Sequence, residues 1–362
     1  MKRRIIATVL SLFVGFISLT IFPTIAQATE NKIILLDAPH SDLLGAQLNN
    51  ELTASLLPTG RLGQLVYTPV STPRTWLIDA ALIDEVTALA AKDVSAQDWL
   101  SELKIMSAAD TVVALPYGHP DISLTKRLAP SELTYYYNSS KTRLAIALGR
   151  DVLIDRGVRW TSSGTIVVAD AVRSYTLNRR ALSLLSTVVP PQQLDDLRSK
   201  LAFLLSSGST TKRQLYFAHN ADMAIAAANH KLRIVAGKYR LTSEHEKVPI
   251  TVVNDFAAPV RVTLQLTPLN SRIKVGGPET VSLPANSKTQ LSIPFTVIAP
   301  GSTAVLAEFR NSKGKPLGDS VILTLSVSVI SPAVAWFTTG AAILLFLAAI
   351  TQSVRRVRRS RK

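Results

Sequence analysis

The rhythm of apolar and polar positions changes near residue 240. Before it, short apolar runs alternate with longer stretches rich in Ala, Leu and Ser. The short runs predict strands at Lys32–Leu36, Thr75–Ile78, Thr111–Leu115, Arg143–Ala147, Thr165–Ala169, Leu215–Ala218 and Lys231–Val235. The longer stretches predict helices over Asp42–Leu56, Ala81–Ala91, Ala96–Ser107, Leu177–Val188 and Pro191–Ser206. Ser95 is placed to cap the third of these, and Pro191 suits a first helical turn. Strands alternating with helices predict an α/β domain over residues 30–240, with a mainly parallel sheet or a reduced β/α barrel.

After residue 240 the pattern shortens. Pro249–Asn254, Val260–Leu266, Glu279–Leu283, Thr289–Val297, Thr303–Arg310 and Ser320–Val329 are β-branched and partly alternating. Pro, Gly and Asn turns separate them, as at Gly276-Gly277-Pro278 and Pro284-Ala285-Asn286. Residues 245–330 therefore read as an immunoglobulin-like β-sandwich, without the cysteine pair and core Trp of antibody domains. Its last strand runs almost directly into an apolar stretch, which fits a stalk.

Both ends are strongly patterned. Lys2, Arg3 and Arg4 precede an apolar run to Phe22, and Ala26-Gln27-Ala28 matches a signal-peptidase site. Residues 1–28 read as a secretory signal. Ala333–Ile350 carries no charge. Its eighteen residues give roughly 27 Å of helix, close to the hydrocarbon thickness of a bilayer. Residues 332–354 are thus expected to form a transmembrane helix, with Trp336 and Phe337 at its outer boundary. Arg355, Arg356, Arg358 and Arg359 open a basic tail over 355–362, expected to be cytoplasmic by the positive-inside rule. The predicted location is the plasma membrane, crossed once, with the folded domains outside.

This placement changes the meaning of the net charge of +15. Most of the excess lies in the signal and the tail, leaving about +6 for the external part. That excess is mild, and no nucleic-acid partner is implied. The chain has no cysteine, so no disulfide framework or thiolate metal site exists. The external cores alone must hold the fold.

Candidate chemistry clusters at predicted strand ends. Asp37, Asp79 and Asp121 recur every 42 residues, and Asp170 follows another apolar run. Strand C-termini form the site-bearing edge of parallel sheets. With His119, and His40 nearby, these carboxylates could line one cleft and divide acid and base roles in glycan hydrolysis. Each aspartate equally suits a turn or a helix N-cap. Tyr135, Tyr136 and Tyr137, with Trp160, form a candidate sugar-stacking surface, against which stands burial of part of the triplet in a strand. Leu57–Gly63 is a Pro/Gly turn that either approaches a ligand or redirects the chain. There is no HExxH, GxSxG, Walker A or GxGxxG motif. No metal and no cofactor is implied.

Four segments together resemble a known family. LPTGRLGQL at Leu57–Leu65, TWLIDAALIDEVTALA at Thr75–Ala90, TVVALPYGHPD at Thr111–Asp121 and VPITVVNDFAA at Val248–Ala258 are similar to large exported actinobacterial envelope proteins. Their genes typically lie beside that of the lipid II flippase. The resemblance implies an actinobacterial envelope location and a link to cell-wall assembly, but no reaction. Two functions are carried forward. The first is a membrane-anchored binding or scaffolding module. Its expected partners are the lipid bilayer and either a cell-wall glycan or a membrane protein of wall assembly. The alternative is a glycan-processing enzyme, a hydrolase or deacetylase, using Asp79, Asp121 and His119.

Overall fold

The computed structural model describes residues 31–70, 72–157, 166–328 and 332–359. The expected signal (1–28) and Trp160 lie outside the described residues, as do the last three residues of the basic tail.

The N-terminal part is an α/β head. Strands β1 (Asn31–Leu35), β2 (Arg74–Ile78) and β3 (Thr111–Ala114) form a parallel sheet in that order. Ile34 aligns with Leu77, and Leu77 with Val113. Leu153 adds a parallel bridge beside Val113. Helices α1 (Glu51–Leu56) and α2 (Arg61–Tyr67) connect β1 to β2, and α3 (Ala80–Ala90) and α4 (Val94–Ser107) connect β2 to β3. Every β2 residue is buried, as a central parallel strand requires. Asp93, not Ser95, caps α4: its carboxylate accepts from the Ser95 amide at 2.9 Å. Three open parallel strands are not a barrel, so the reduced-barrel expectation is corrected among the described residues.

The rest of the head is helical. α5 (Ile122–Leu128), α6 (Pro130–Leu148), α7 (Ala169–Leu185), α8 (Asp195–Lys200) and α9 (Thr211–His230) follow, with short 3-10 turns on either side of α8. Two predicted strands, Arg143–Ala147 and Leu215–Ala218, lie inside α6 and α9. In α6 the buried residues Tyr136, Ser140, Leu144 and Leu148 recur every four positions, a helical stripe. Residues 166–168 form no strand either, since α7 begins at Ala169. The helix expected from Asp42 starts only at Glu51. Asp42 stops it earlier by accepting from the Leu44 and Ala46 amides, a turn geometry that competes with helix.

The sandwich begins earlier than its strand pattern implies. Lys231 alone separates α9 from β4 (Leu232–Ile234). β4 pairs with β6 (His245–Asn254), which pairs with β10 (Ser287–Val297) and through it β8 (Ile273–Val275). The facing sheet runs β5 (Lys238–Leu241), β12 (Pro316–Val327), β11 (Gly301–Arg310), β7 (Val260–Pro268) and β9 (Glu279–Leu283). β5 runs parallel to β12; the other pairings are antiparallel. The segment from β4 to β5 thus serves both sheets, which moves the join of head and sandwich to Lys231. Alternate residues point inward: Val305, Ala307 and Phe309 from β11 share a core with Ile293, Phe295 and Val297 from β10. Each such Phe contributes roughly 1.5–3 kcal/mol by leaving water.

The chain then enters α10 (Pro332–Arg359), a 28-residue helix. Its window Trp336–Ser353 is long and apolar enough to cross a membrane and is wholly unburied by protein. Trp336 and Phe337 are exposed, as is Arg356. The helix continues through Arg355, Arg358 and Arg359 rather than ending before them.

Candidate functional site

Parallel strands deliver the segments that follow them to one edge of the sheet, and Asp37, Asp79 and Asp121 follow β1, β2 and β3 in this way, while Asp170 does not. They do not converge. Asp79 ends β2 and caps α3, accepting from the Ala81 amide at 2.9 Å. The same oxygen accepts from the Gly118 amide at 2.9 Å, and the other lies 2.8 Å from His119 Nδ1. Gly118 and His119 have φ of +69° and +37°, so Asp79 holds a left-handed turn, strained at His119. Asp79 and His119 are 1% and 4% exposed. Of the expected cluster this pair and the looser Asp37–His40 pair form separately, and Asp79–His119 is sealed in the interior. Asp121 caps α5 by accepting from the Leu124 amide at 2.7 Å. Asp37 pairs with Arg61 at 2.6 Å and faces His40 Nε2 at 3.5 Å. Asp170 sits exposed in the first turn of α7. The four carboxylates thus hold separate positions, contrary to the shared cleft considered above.

The tyrosine surface is also corrected. The triplet lies on α6, where helical geometry turns Tyr136 and Tyr137 into the core. Tyr136 OH lies 3.2 Å from Tyr175 OH, and burial pushes its pKa well above the usual phenol value. Tyr135 is half-buried and donates to the Asp195 carbonyl, with the Arg198 guanidinium 3.8 Å above its ring. None of the three offers a free face for stacking on sugar. Leu57–Gly63 is a helix–helix turn: a Cβ on Gly60 or Gly63 would stand 2.3 Å from Ala54 O or 1.8 Å from Leu57 O. These glycines admit close backbone approach between the two helices.

The head does contain a cleft, of about 550 Å³, beside the ends of β1 and β3. His40, Ser41, Asp84, Glu85, Tyr117 and Arg143 line it, with Asp196, Lys200 and Lys92 at its polar wall. The segment after β1 brings His40 and Ser41, α3 brings Asp84 and Glu85, the turn after α3 brings Lys92, the segment after β3 brings Tyr117, α6 brings Arg143, and α8 brings Asp196 and Lys200. Arg143 is the hub. Its guanidinium lies 2.5 Å from Asp84 and 3.5 Å from Asp196, and 5.0 Å over the Tyr117 ring. Tyr117 OH donates to Asp84 at 3.1 Å, and Lys200 pairs with Asp196 at 2.9 Å. Burial raises the Asp84 pKa despite the opposing Arg143 charge. Burial likewise raises that of Glu85, against hydrogen bonds from Ser41 and the His40 amide. The strand-end reading overlooked Asp84 and Glu85 because they lie inside a helix. Two adjacent acids in the otherwise apolar AALIDEVTALA were their signal. Among the described residues no group of three His, Asp or Glu side chains is placed to hold a metal ion.

The loop over the cleft predicts a pH response. His40 Nδ1 faces Asn49 Oδ1 at 3.1 Å, while the buried Nε2 makes no hydrogen bond and lies 3.5 Å from the Asp37 carboxylate, within ion-pair reach. Burial works against the charged ring, but these partners outweigh it and raise the pKa above 6.5. The stability this contributes is full below pH 6.5 and is lost as pH rises through the raised value. Glu85, also raised, acts in the same direction from above pH 4.5. Asp37 is held below its usual 3.8, since the contacts with His40 and Arg61 outweigh burial. Its contribution disappears only as pH falls through that lowered value. The thermal midpoint should therefore fall as pH rises past 6.5. His40→Gln should flatten that segment of the profile, and an unchanged slope would refute the assignment.

An α/β head joined through one residue to a β-sandwich, and then to an apolar helix, is a layout compatible with a single membrane crossing. The chain belongs to DUF6049, a family of unknown function, whose profile matches residues 158–362. Among curated proteins none matches the chain. Solved structures resemble about a quarter of it. WR4, a Caenorhabditis elegans MSP family member, is 11% identical over 27% of this chain and 98% of that one, with a TM-score of 0.22. PapD-like domain 7 of human CEP192 is 15% identical over 28% and 85%, at 0.21. For Escherichia coli alpha-2-macroglobulin the figures are 14%, 27% and 0.22, and only 6% of that chain is covered.

Proposed function

We propose that this protein is a membrane-anchored, extracytoplasmic binding module of the cell envelope, acting near cell-wall assembly. The head holds a polar ligand in its cleft, and the sandwich carries the head away from the bilayer. One observation supports this most: the cleft presents both signs of charge around Arg143, with Asp84, Asp196 and Lys200 in contact through it. Such an array suits a ligand bearing carboxylate and amine together, as a peptide-substituted wall glycan does. The enzyme reading is weaker. Asp79 and His119 are buried, and Glu85 spends its oxygens on Ser41 Oγ and the His40 and Ser41 amides.

The test is a titration of the full chain in nanodiscs with peptidoglycan and arabinogalactan fragments, followed by chromatography of the mixture. Binding of a charged fragment should weaken about ten- to hundred-fold in Arg143→Ala, from loss of a charge-assisted contact. Lys200→Ala should weaken it less while leaving the Arg143–Asp84 pair intact. Equal affinity in wild type and both variants would refute the cleft as the binding site. Cleaved or deacetylated products would favour the enzyme.

A further inference from the structure

The two ends of the sandwich differ in what they meet. At one end, Asn311 donates to Thr187 Oγ1 at 3.1 Å, the Asp255 amide donates to the Lys231 carbonyl at 2.8 Å, and α9 enters β4. That end is joined to the head. The opposite end is where β12 finishes at Val327, β6 begins at His245, and β10 turns into β11. The twelve residues of β12 set these ends about 40 Å apart. From Ser328 to the first residue of α10 is four residue steps, at most about 14 Å of chain. If α10 spans a bilayer, the free end of the sandwich is confined close to the bilayer surface.

That end is built unlike an ordinary solvent-facing loop cluster. Leu269 is 56% exposed and Ile298 is 64% exposed, each at the tip of a loop there. The two tips are stitched together. The amides of Ile298 and Ala299 donate to the Arg272 carbonyl at 2.7 and 3.1 Å, Arg272 Nη1 donates to the Pro300 carbonyl at 2.7 Å, and Thr303 Oγ1 donates to Asn270 at 2.8 Å. Arg240, Lys247, Arg272 and Lys274, all exposed, lie within three residues of the same sheet ends. They outnumber Glu244 and Glu246 there, and the Glu246 carboxylate already accepts from the Thr242 and Ser243 amides.

We propose that this end of the sandwich is itself a lipid-contacting surface. Leu269 and Ile298 enter the interfacial layer of the adjacent leaflet, and the four cationic side chains face anionic headgroups. The inference rests on the reading of α10 as a span. The short tether supplies proximity, the bared aliphatic tips supply burial in the acyl boundary, and the basic excess supplies electrostatic attraction. Two contacts, the span and the rim, then fix the tilt of the stalk, which a single helix leaves free to swing.

The absence of native cysteine makes the test direct. Leu269→Cys, Ile298→Cys, Lys313→Cys and Leu344→Cys are each made in the full chain, nitroxide-labelled and reconstituted in vesicles of phosphatidylethanolamine and phosphatidylglycerol. Depth is read from the relative accessibility to oxygen and to a water-soluble nickel chelate. Leu269 and Ile298 are solvent-facing, so their replacement leaves the core packing intact. The expected result is a several-fold higher oxygen-to-nickel ratio at 269 and 298 than at 313, which lies at the head end. That ratio should fall in pure phosphatidylcholine and in Arg272→Gln/Lys274→Gln. Values at 269 and 298 equal to that at 313, with 344 deep in lipid, would overturn the rim contact and leave the span standing. An aqueous reading at 344 would instead overturn the span. Shielding from nickel without oxygen gain, together with spin–spin broadening between chains, would overturn lipid contact in favour of a second copy on this face.

Discussion

Asp79→Ala should destabilise the head by about 3–5 kcal/mol, a large share of the roughly 5–15 kcal/mol that holds an ordinary domain folded. The carboxylate ends β2, caps α3 and receives both the Gly118 amide and His119. Loss of a helix cap costs about 1 kcal/mol. The buried Gly118 amide, left without its acceptor, adds about 1–3 kcal/mol. His119 loses its Asp79 partner at a position with positive φ. Asp79→Asn keeps one oxygen for the two amides and should recover much of the loss. Chemical denaturation of the full chain in detergent, followed by tryptophan fluorescence, to which the buried Trp76 and Trp99 of the head contribute, reads both variants. A role in turnover would appear as lost activity at unchanged stability. An Asp79→Ala chain as stable as the wild type would remove the structural assignment.

The same residue shows what the sequence could and could not reveal. A carboxylate after an apolar run is visible as a cap or as a catalyst, and local pattern does not choose between them. The choice is made by Gly118 and His119, 39 and 40 positions away. The three parallel strands and α3 were legible because each is bounded by strong signals and packed on the expected face. Arg143–Ala147 and Leu215–Ala218 were not, because four or five apolar residues are as compatible with a buried helix turn as with a strand. Only the longer four-residue recurrence, from Tyr136 through Ser140 and Leu144 to Leu148, identifies α6 as a helix. The cleft was the least legible part. Asp84 meets Arg143 across 59 positions and Glu85 meets Ser41 across 44, contacts that exist only after the head has folded. The sandwich was easier because its strands alternate within themselves and its turns carry Pro, Gly and Asn. Of its first two strands, Leu232–Ile234 reads as a strand but as one of the head, and Lys238–Leu241 was hidden because it is too short to alternate.

The second large effect concerns α10. Leu344→Arg with Leu347→Arg should remove the chain from the membrane fraction. Each arginine near the centre of a span costs about 2.5–3.5 kcal/mol on insertion scales, so the pair opposes insertion by about 5–7 kcal/mol. Both positions are exposed and make no protein core, so the soluble fold should survive the change. Ser353→Arg, at the end of the apolar window, should leave the chain resistant to alkaline carbonate extraction, since a terminal arginine reaches the headgroups. Carbonate resistance of the double variant would refute the span. The length of α10 sharpens the expectation. Twenty-eight residues make about 42 Å of helix against about 30 Å of hydrocarbon. In a helix that spans, about two turns would therefore lie outside the acyl region, and Arg355, Arg356, Arg358 and Arg359 are in the last turns of α10. If α10 spans a bilayer, basic residues on a helix continuous with the span would hold that end at the headgroups and resist any shift of the apolar window.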